Sequence, residues 1–187
     1  MASTSDVNVG SFIRFNGELV QVVEWQHRTP GNLRAFYQAK MRNVKTGKYV
    51  ENRFRSGESI DVARVEVREL QYLYKDGDSL VCMDQNTFDQ IYIDVALFGN
   101  TVQFLKEEMI VIVAFESDMP VTATPPSTVE LEVTYSEPGL KGDTATNTLK
   151  PATLETGAVV NVPLFVNTGD TIKVDTATGA YLERAKG

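Results

Sequence analysis

Apolar and polar positions alternate with a period of two along most of the chain, the spacing that puts one face of a β-strand in a core and the other in water. Ser11-Phe12-Ile13-Arg14-Phe15 and Glu18-Leu19-Val20-Gln21-Val22-Val23-Glu24 flank Asn16-Gly17. A type I′ turn needs positive φ at both central residues, which Asn-Gly adopts readily, so this stretch predicts a two-residue hairpin. Residues 34–43 and 48–55 form a second pair around Val44-Lys45-Thr46-Gly47, with the glycine supplying positive φ. Between the hairpins, Thr29-Pro30-Gly31-Asn32 reads as an exposed turn.

The β pattern continues to the C-terminal end. Gln71-Tyr72-Leu73-Tyr74-Lys75 and Ser79-Leu80-Val81-Cys82-Met83 flank Asp76-Gly77-Asp78; residues 88–93 are a further strand, 95–105 are ambiguous and include a candidate short helix, and 109–115 are a buried strand. Thr124-Pro125-Pro126-Ser127 reads as a linker, because proline cannot donate to a sheet ladder. Thr128-Val129-Glu130-Leu131-Glu132-Val133 then opens a third run of strands that ends in Thr171-Ile172-Lys173-Val174-Asp175 and Tyr181-Leu182. Three small all-β modules follow: 1–63, 64–127 and 128–187, each a compact barrel or sandwich.

Composition sets the limits. With 42% hydrophobic and 23% charged residues the 187-residue chain has apolar material for packed cores. One cysteine, Cys82, excludes an internal disulfide, and with His27 the sole histidine a Cys/His zinc site lacks ligands; no metal or cofactor is expected. Met1-Ala2-Ser3-Thr4-Ser5-Asp6 has neither the basic start nor the apolar core of a signal peptide, and no apolar run is long enough for a membrane span. The expectation is a cytoplasmic monomer without a membrane partner.

Charge changes the picture most. A net charge of −7 and a pI near 4.8 argue against nucleic acid on average. The average hides an asymmetry: the three modules carry +3, −7 and −3. Within 25–55, Arg28, Arg34, Lys40, Arg42, Lys45, Lys48, Arg53 and Arg55 face Glu51 alone. Such a block suits RNA phosphates, and equally a solvated charged face. Trp25 reads as core, whereas His27 is open between stacking on a base and an ordinary surface place. Tyr181 either caps a barrel or, with Arg184 nearby, stacks on RNA.

Enzymatic chemistry finds no footing. No glycine-rich phosphate loop is present, and His27 has no assignable serine or cysteine nucleophile. The pairs Asp76/Asp78 and Glu107/Glu108 fall in a turn and beside a polar break, where solvated carboxylates are expected.

Two stretches carry a family resemblance. Lys150-Pro151-Ala152-Thr153-Leu154-Glu155-Thr156-Gly157, then Val162-Pro163-Leu164-Phe165-Val166, Gly169-Asp170-Thr171-Ile172-Lys173-Val174-Asp175 and Thr178-Gly179-Ala180-Tyr181-Leu182-Glu183-Arg184, closely resemble the elongation factor P signature. Pro30-Gly31-Asn32-Leu33-Arg34-Ala35-Phe36 with Lys40-Met41-Arg42-Asn43-Val44 and Phe54-Arg55-Ser56-Gly57-Glu58 resemble the same family's first domain, and Glu137-Pro138-Gly139-Leu140-Lys141-Gly142-Asp143-Thr144 extends the likeness across the chain.

The resemblance implies an N-terminal SH3-like (KOW-like) barrel followed by two OB-fold barrels in an L-shaped, tRNA-like arrangement. It also implies a non-enzymatic role in translation: binding the ribosome and its RNA between the peptidyl-tRNA and exit sites, and stimulating peptide-bond formation at proline-rich stalls. In the family a first-domain loop reaches toward peptidyl-tRNA, which assigns Arg28, Thr29, Pro30, Gly31, Asn32, Leu33 and Arg34 to that loop. Lys40, Arg42, Arg53 and Arg55 become RNA contacts. Gly142, Asp143 and Thr144 match a loop approaching the exit-site mRNA codon, and Tyr181 and Arg184 match positions near tRNA and the small subunit. Many members carry a modified lysine, and another branch a modified arginine, at the loop tip; here that position is Asn32. An amide lacks the nucleophilic amine, so lysine-type modification is excluded there. The residues alone also admit a general RNA-binding protein with no part in peptidyl transfer.

Overall fold

The structure is a computed structural model and describes residues 1–139 and 149–185. Its described residues are nearly all β, and they divide into two compact units, Met1–Arg68 with Val113–Thr122, and Glu69–Ile112 with Ala123–Gly187.

The first unit is built on a four-stranded antiparallel sheet of β2 (Phe12–Phe15), β3 (Glu18–Arg28), β4 (Phe36–Asn43) and β5 (Tyr49–Arg55), in chain order, beside a small pair of β1 (Ala2–Ser3) and β6 (Ser59–Ile60). Asn16 and Gly17 turn β2 into β3 with φ of 51° and 82°, as the Asn-Gly pair predicts. The chain beyond β6 closes the curved sheet on itself: the Arg14 N–H donates to the Asp61 carbonyl and the Ala63 N–H to that of Phe12. Val7, Ile13, Val20, Val22, Ala39, Met41, Phe54 and Ile60 fill the interior. One boundary differs from the sequence reading: β3 does not end near Glu24 but runs on to Arg28, which pairs with Phe36. The aromatic residues beyond Glu24 gain ring contacts only when that pairing continues, and the local pattern of polar residues does not report this.

The middle strands are β7 (Val65–Asp76), β8 (Ser79–Asp84), β9 (Gln90–Asp94), β10 (Ile110–Glu116) and β11 (Met119–Thr124), ordered β11-β10-β7-β8-β9. The ambiguous stretch forms two 3₁₀ turns, Val95–Leu97 and Gly99–Phe104, the first capped by Asp94 accepting from the Ala96 N–H. The apolar run 109–115 suggests burial throughout, and here the structure differs. Ile110 and Ile112 are exposed while Val111, Val113, Ala114 and Phe115 are buried, so the strand alternates as far as Val113 and is buried on both faces from there to Phe115. In the first unit a single guanidinium nitrogen of Arg14 lies 2.6 and 2.7 Å from the two oxygens of Glu116. Arg68 stacks 4.7 Å over the Phe115 ring and reaches Glu66 and Asp118 at 2.9 and 3.3 Å.

In the second unit a further five-stranded sheet runs β14-β13-β12-β15-β16, comprising β12 (Thr128–Ser136), β13 (Leu149–Leu154), β14 (Val159–Pro163), β15 (Thr171–Asp175) and β16 (Tyr181–Arg184). The first half of β12 pairs with β15 and the second half with β13. A register shift between Val133 and Tyr135 marks the bend and reverses the alternation, leaving Tyr135 exposed and Ser136 buried. Leu131, Val133, Leu154, Val162, Ile172 and Val174 form the core, and Phe104 from the second 3₁₀ turn is buried among them. The Gly179 backbone lies so near that a Cβ there would sit 3.3 Å from the Phe104 ring.

Truncating Phe104 removes a ring that this core cannot replace. Phe104→Ala should destabilise the protein by about 3–5 kcal/mol, read as a lowered urea midpoint. Burial pushes the Cys82 thiol up to about 11, so at neutral pH the folded protein should resist a thiol-selective reagent that the urea-unfolded chain consumes within minutes.

Candidate nucleic-acid interface

β4 is the middle strand of β3, β4 and β5, and its alternation sorts the basic block. Ala39, Met41 and Asn43 are buried, so Phe36, Gln38, Lys40 and Arg42 share the outer face. Register then builds cross-strand rows from β3 through β4 to β5: Arg28-Phe36-Arg55 nearest the loop, Gln26-Gln38-Arg53 next, then Glu24-Lys40-Glu51, and last Gln21-Arg42-Tyr49. A shift in register between Val22 and Glu24 keeps the outer face continuous past the middle of β3.

The rows differ in electrostatics. Lys40 lies 3.5 Å from the Glu24 carboxylate, faces Glu51 across the sheet, and sits 5.3 Å over the Tyr49 ring. Its charge is largely compensated. Closer to the loop the partners are neutral. Arg28 donates to Gln26 Oε1 at 2.8 Å, and Arg53 Nε donates to Gln38 Oε1 at 3.0 Å with its guanidinium 5.2 Å over the Phe36 ring. The Arg55 backbone N–H, not its guanidinium, donates to the Glu58 carboxylate. Among the described residues Arg28, Arg34, Arg53 and Arg55 form no ion pair.

The loop between β3 and β4 is residues 29–35. Arg28 therefore belongs to the strand that carries the loop, not to the loop. The Leu33 N–H donates to the Pro30 carbonyl at 3.0 Å, closing a turn with Gly31 and Asn32 at its centre. Gly31 does not adopt positive φ, and nothing lies within 4 Å of a Cβ placed there. Its backbone is one that other residues accept, so the turn draws stiffness from Pro30 and the hydrogen bond. Asn32 and Arg34 are exposed, and Leu33 is 76% exposed.

Aromatic rings support the strand pair beneath the loop. Phe15 meets Phe54 edge-on at 5.9 Å, Trp25 lies 5.4 Å from Phe54 and stacks on Tyr37 at 5.2 Å, and His27 stacks on Tyr37 at 4.6 Å. Trp25 packs against the core and its indole N–H donates to the Thr4 carbonyl, as the packing reading required. His27 ends the series as an exposed ring held by its neighbour. Phe36 and Gln38 escaped sequence reasoning because only cross-strand register sets them beside the arginines, and Gln26 because its place two residues before Arg28 on one face of β3 shows only once that strand runs past Glu24.

In the other unit Tyr181 pairs with Val174 and packs half-buried against the core, while Arg184 is exposed, 3.8 Å from Asp170 and 6.0 Å from the Phe165 ring centre. Tyr181 thus spends much of its ring on packing. Gly142, Asp143 and Thr144 lie outside the described residues. Two neighbouring signature positions act through structure: Lys150 is buried with its ammonium donating to the Glu137 carbonyl at 2.6 Å, and a Cβ on Gly139 would meet the Leu164 carbonyl oxygen at 3.0 Å. Among the described residues no group of three His, Cys, Asp or Glu side chains could hold a metal ion, and no helix is long and apolar enough to cross a membrane.

Comparisons with known proteins agree along the whole chain. Residues 3–60 match the elongation factor P (EF-P) KOW-like domain, 65–123 the elongation factor P (EF-P) OB domain, and 129–184 the elongation factor P C-terminal domain. Elongation factor P of Chloroherpeton thalassium is 51% identical over 100% of both chains, and that of Chloroflexus aggregans 49% identical over 97% of each. Among solved structures, eukaryotic translation initiation factor 5A from Methanococcus jannaschii superposes with a TM-score of 0.53 at 16% identity, covering 66% of this chain and 91% of that one, a likeness of fold.

The uneven neutralisation predicts unequal contributions to any RNA affinity. Arg53→Met should reduce the dependence of log K on log salt by about 0.7–0.9 for each phosphate that Arg53 neutralises, and Lys40→Met by much less. Titrations with ribosomes across a potassium chloride series measure both slopes.

Proposed function

The chain belongs to the elongation factor P family and is a translation elongation factor; from that premise we propose that it binds the ribosome between the peptidyl-tRNA and exit sites and speeds peptide-bond formation at proline-rich stalls. Residues 29–34 face peptidyl-tRNA, and Arg28, Arg34, Arg53 and Arg55 hold RNA phosphates at the loop end of the first barrel. Arg42 contributes from the far row. Tyr181 and Arg184, with Gly142, Asp143 and Thr144, contact tRNA, the small subunit and the exit-site codon. Under this reading the chain works as a cytoplasmic monomer in three modules, 1–63, 64–127 and 128–187.

The observation that carries the proposal is the cluster of guanidiniums without carboxylate partners around the base of the loop, on a chain whose net charge is −7. An acidic protein gains little electrostatically from RNA except where its surface is locally cationic, so the phosphate-neutralising share of binding is concentrated at that end, and the third module's contacts add shape and position. No covalent step is needed. Holding peptidyl-tRNA in a reactive geometry lowers the barrier by removing orientational freedom before the reaction begins. Asn32 offers an amide at the tip, so the loop acts through its backbone shape and flanking arginines.

Reconstituted translation of a triple-proline message provides the test. Adding the protein should restore synthesis past the prolines, and Arg28→Ala, Arg34→Ala and Pro30→Ala should each weaken the rescue about tenfold. Unchanged synthesis on adding the intact chain would refute the proposal, and salt-sensitive binding to unrelated RNA with no preference for the ribosomal site would favour a general RNA-binding protein. Peptide mass spectrometry across residues 28–36 of protein from the native host should find residue 32 without a lysine-type modification, since an amide has no amine to carry one.

A further inference from the structure

The hydrogen-bond partners of Arg28 and Arg53 follow a common plan that the family likeness does not assign. Each guanidinium is held by the side-chain oxygen of a glutamine on the same outer face, Gln26 for Arg28 at 2.8 Å and Gln38 for Arg53 at 3.0 Å. The two glutamines are themselves opposite one another across β3 and β4, and Gln38 is opposite Arg53 across β4 and β5. A carboxylate in either place would fix the arginine equally well while cancelling its charge, as Glu24 does for Lys40 one row further on. An amide oxygen accepts the same hydrogen bond and leaves the positive charge whole.

We propose that Gln26 and Gln38 are positioning residues that turn Arg28 and Arg53 into a preorganised, uncompensated clamp for RNA phosphates on the outer face of the first barrel, extending the binding surface down from the loop. This deepens the function proposed above and rests on it. The Phe36 ring, between Arg28 and Arg55 in its row and under the Arg53 guanidinium, serves as the floor of the clamp. A long arginine side chain loses rotamer freedom on binding, and one already restrained by an amide and a ring loses less. The remaining N–H groups of each fork stay available for phosphate oxygens, which a guanidinium binds in bidentate fashion. Within the cross-strand rows carboxylates enter only at Glu24-Lys40-Glu51, where the clamp ends; Glu58, beside the first row, accepts from the Arg55 backbone N–H.

The full-length chain and its Gln26→Glu, Gln38→Glu, Gln26→Ala and Gln38→Ala variants separate charge from restraint. Each is titrated with purified ribosomes carrying initiator tRNA on a triple-proline message, across a potassium chloride series, and assayed for triple-proline synthesis. Each Gln→Glu change should lower the salt slope by about 0.7–0.9 and weaken low-salt binding roughly tenfold. Each Gln→Ala change should leave the slope intact and weaken binding about two- to fivefold, the cost of ordering a freed side chain. Slopes equal to the unmodified chain's in both Gln→Glu variants, or Gln→Ala variants that bind as tightly as the unmodified chain, would overturn the clamp. If the variants follow the expected pattern while the unmodified chain fails to accelerate synthesis, the clamp stands as a ribosomal RNA site and the proposed stimulation of peptidyl transfer fails.

Discussion

Everything at the basic end of the molecule depends on the register of β4 between its two neighbours. Ala39 and Met41 are fully buried, and the residues that alternate with them, Gln38, Lys40 and Arg42, are polar or charged. A slip of one position would drive Gln38, Lys40 and Arg42 into the core and expose the apolar set, at a cost far beyond the stability of a small domain. The hydrophobic requirement thus fixes, without any contribution from RNA, which cations share a face and which residues stand opposite them. Placement of charge is a by-product of core packing.

That register also explains how an acidic chain presents a cationic surface. Lys40 falls between Glu24 and Glu51, whereas two residues along β4 Gln38 meets Arg53 and Gln26. Exposed ion pairs contribute little to stability, so exchanging a carboxylate for an amide at these sites costs the fold little. It matters for the field outside the barrel, which adds at the loop end and cancels in the Lys40 row. Elsewhere charges are spent on architecture: Arg14 on Glu116, Arg68 on Glu66 and Asp118, and Lys106 on Glu155 at 2.9 Å.

The hairpins around Asn16-Gly17, residues 44–47 and Asp76-Gly77-Asp78, and the proline break before Thr128, were legible in the sequence because they are set by neighbours in the chain, whereas the strands Met119–Thr124, Leu149–Leu154 and Val159–Pro163 were not singled out. The uneven charge was legible too, as a count. Hidden was its arrangement, since the pairing of Gln38 with Arg53, or of Lys40 with Glu24, joins residues 15 or 16 positions apart and depends on a register shift near Val23. The extension of β3 to Arg28 was obscured for the same reason: Trp25 and His27 gain their stacking partner, Tyr37, only across the sheet. The bend of β12 at Val133 is likewise invisible in a run that alternates cleanly up to that residue. Gly31 shows the opposite case, a residue type that suggests special backbone geometry in a turn that does not use it.

A loop that must place its tip accurately needs a rigid support more than a special residue at the tip. Here β3 and β4 remain paired up to Arg28 and Phe36, so only residues 29–35 extend beyond the sheet, and the Leu33 to Pro30 hydrogen bond shortens the free path further. Beneath them the rings of His27, Tyr37, Trp25 and Phe54 join the strand ends to the buried core. Displacing the tip therefore requires disturbing stacked rings, two of which, Trp25 and Tyr37, are partly buried against the core of the barrel. Stiffness of this kind comes from the first barrel as a whole. Under the function proposed above, the loop is then oriented by the paired strands and not by the side chain of Asn32.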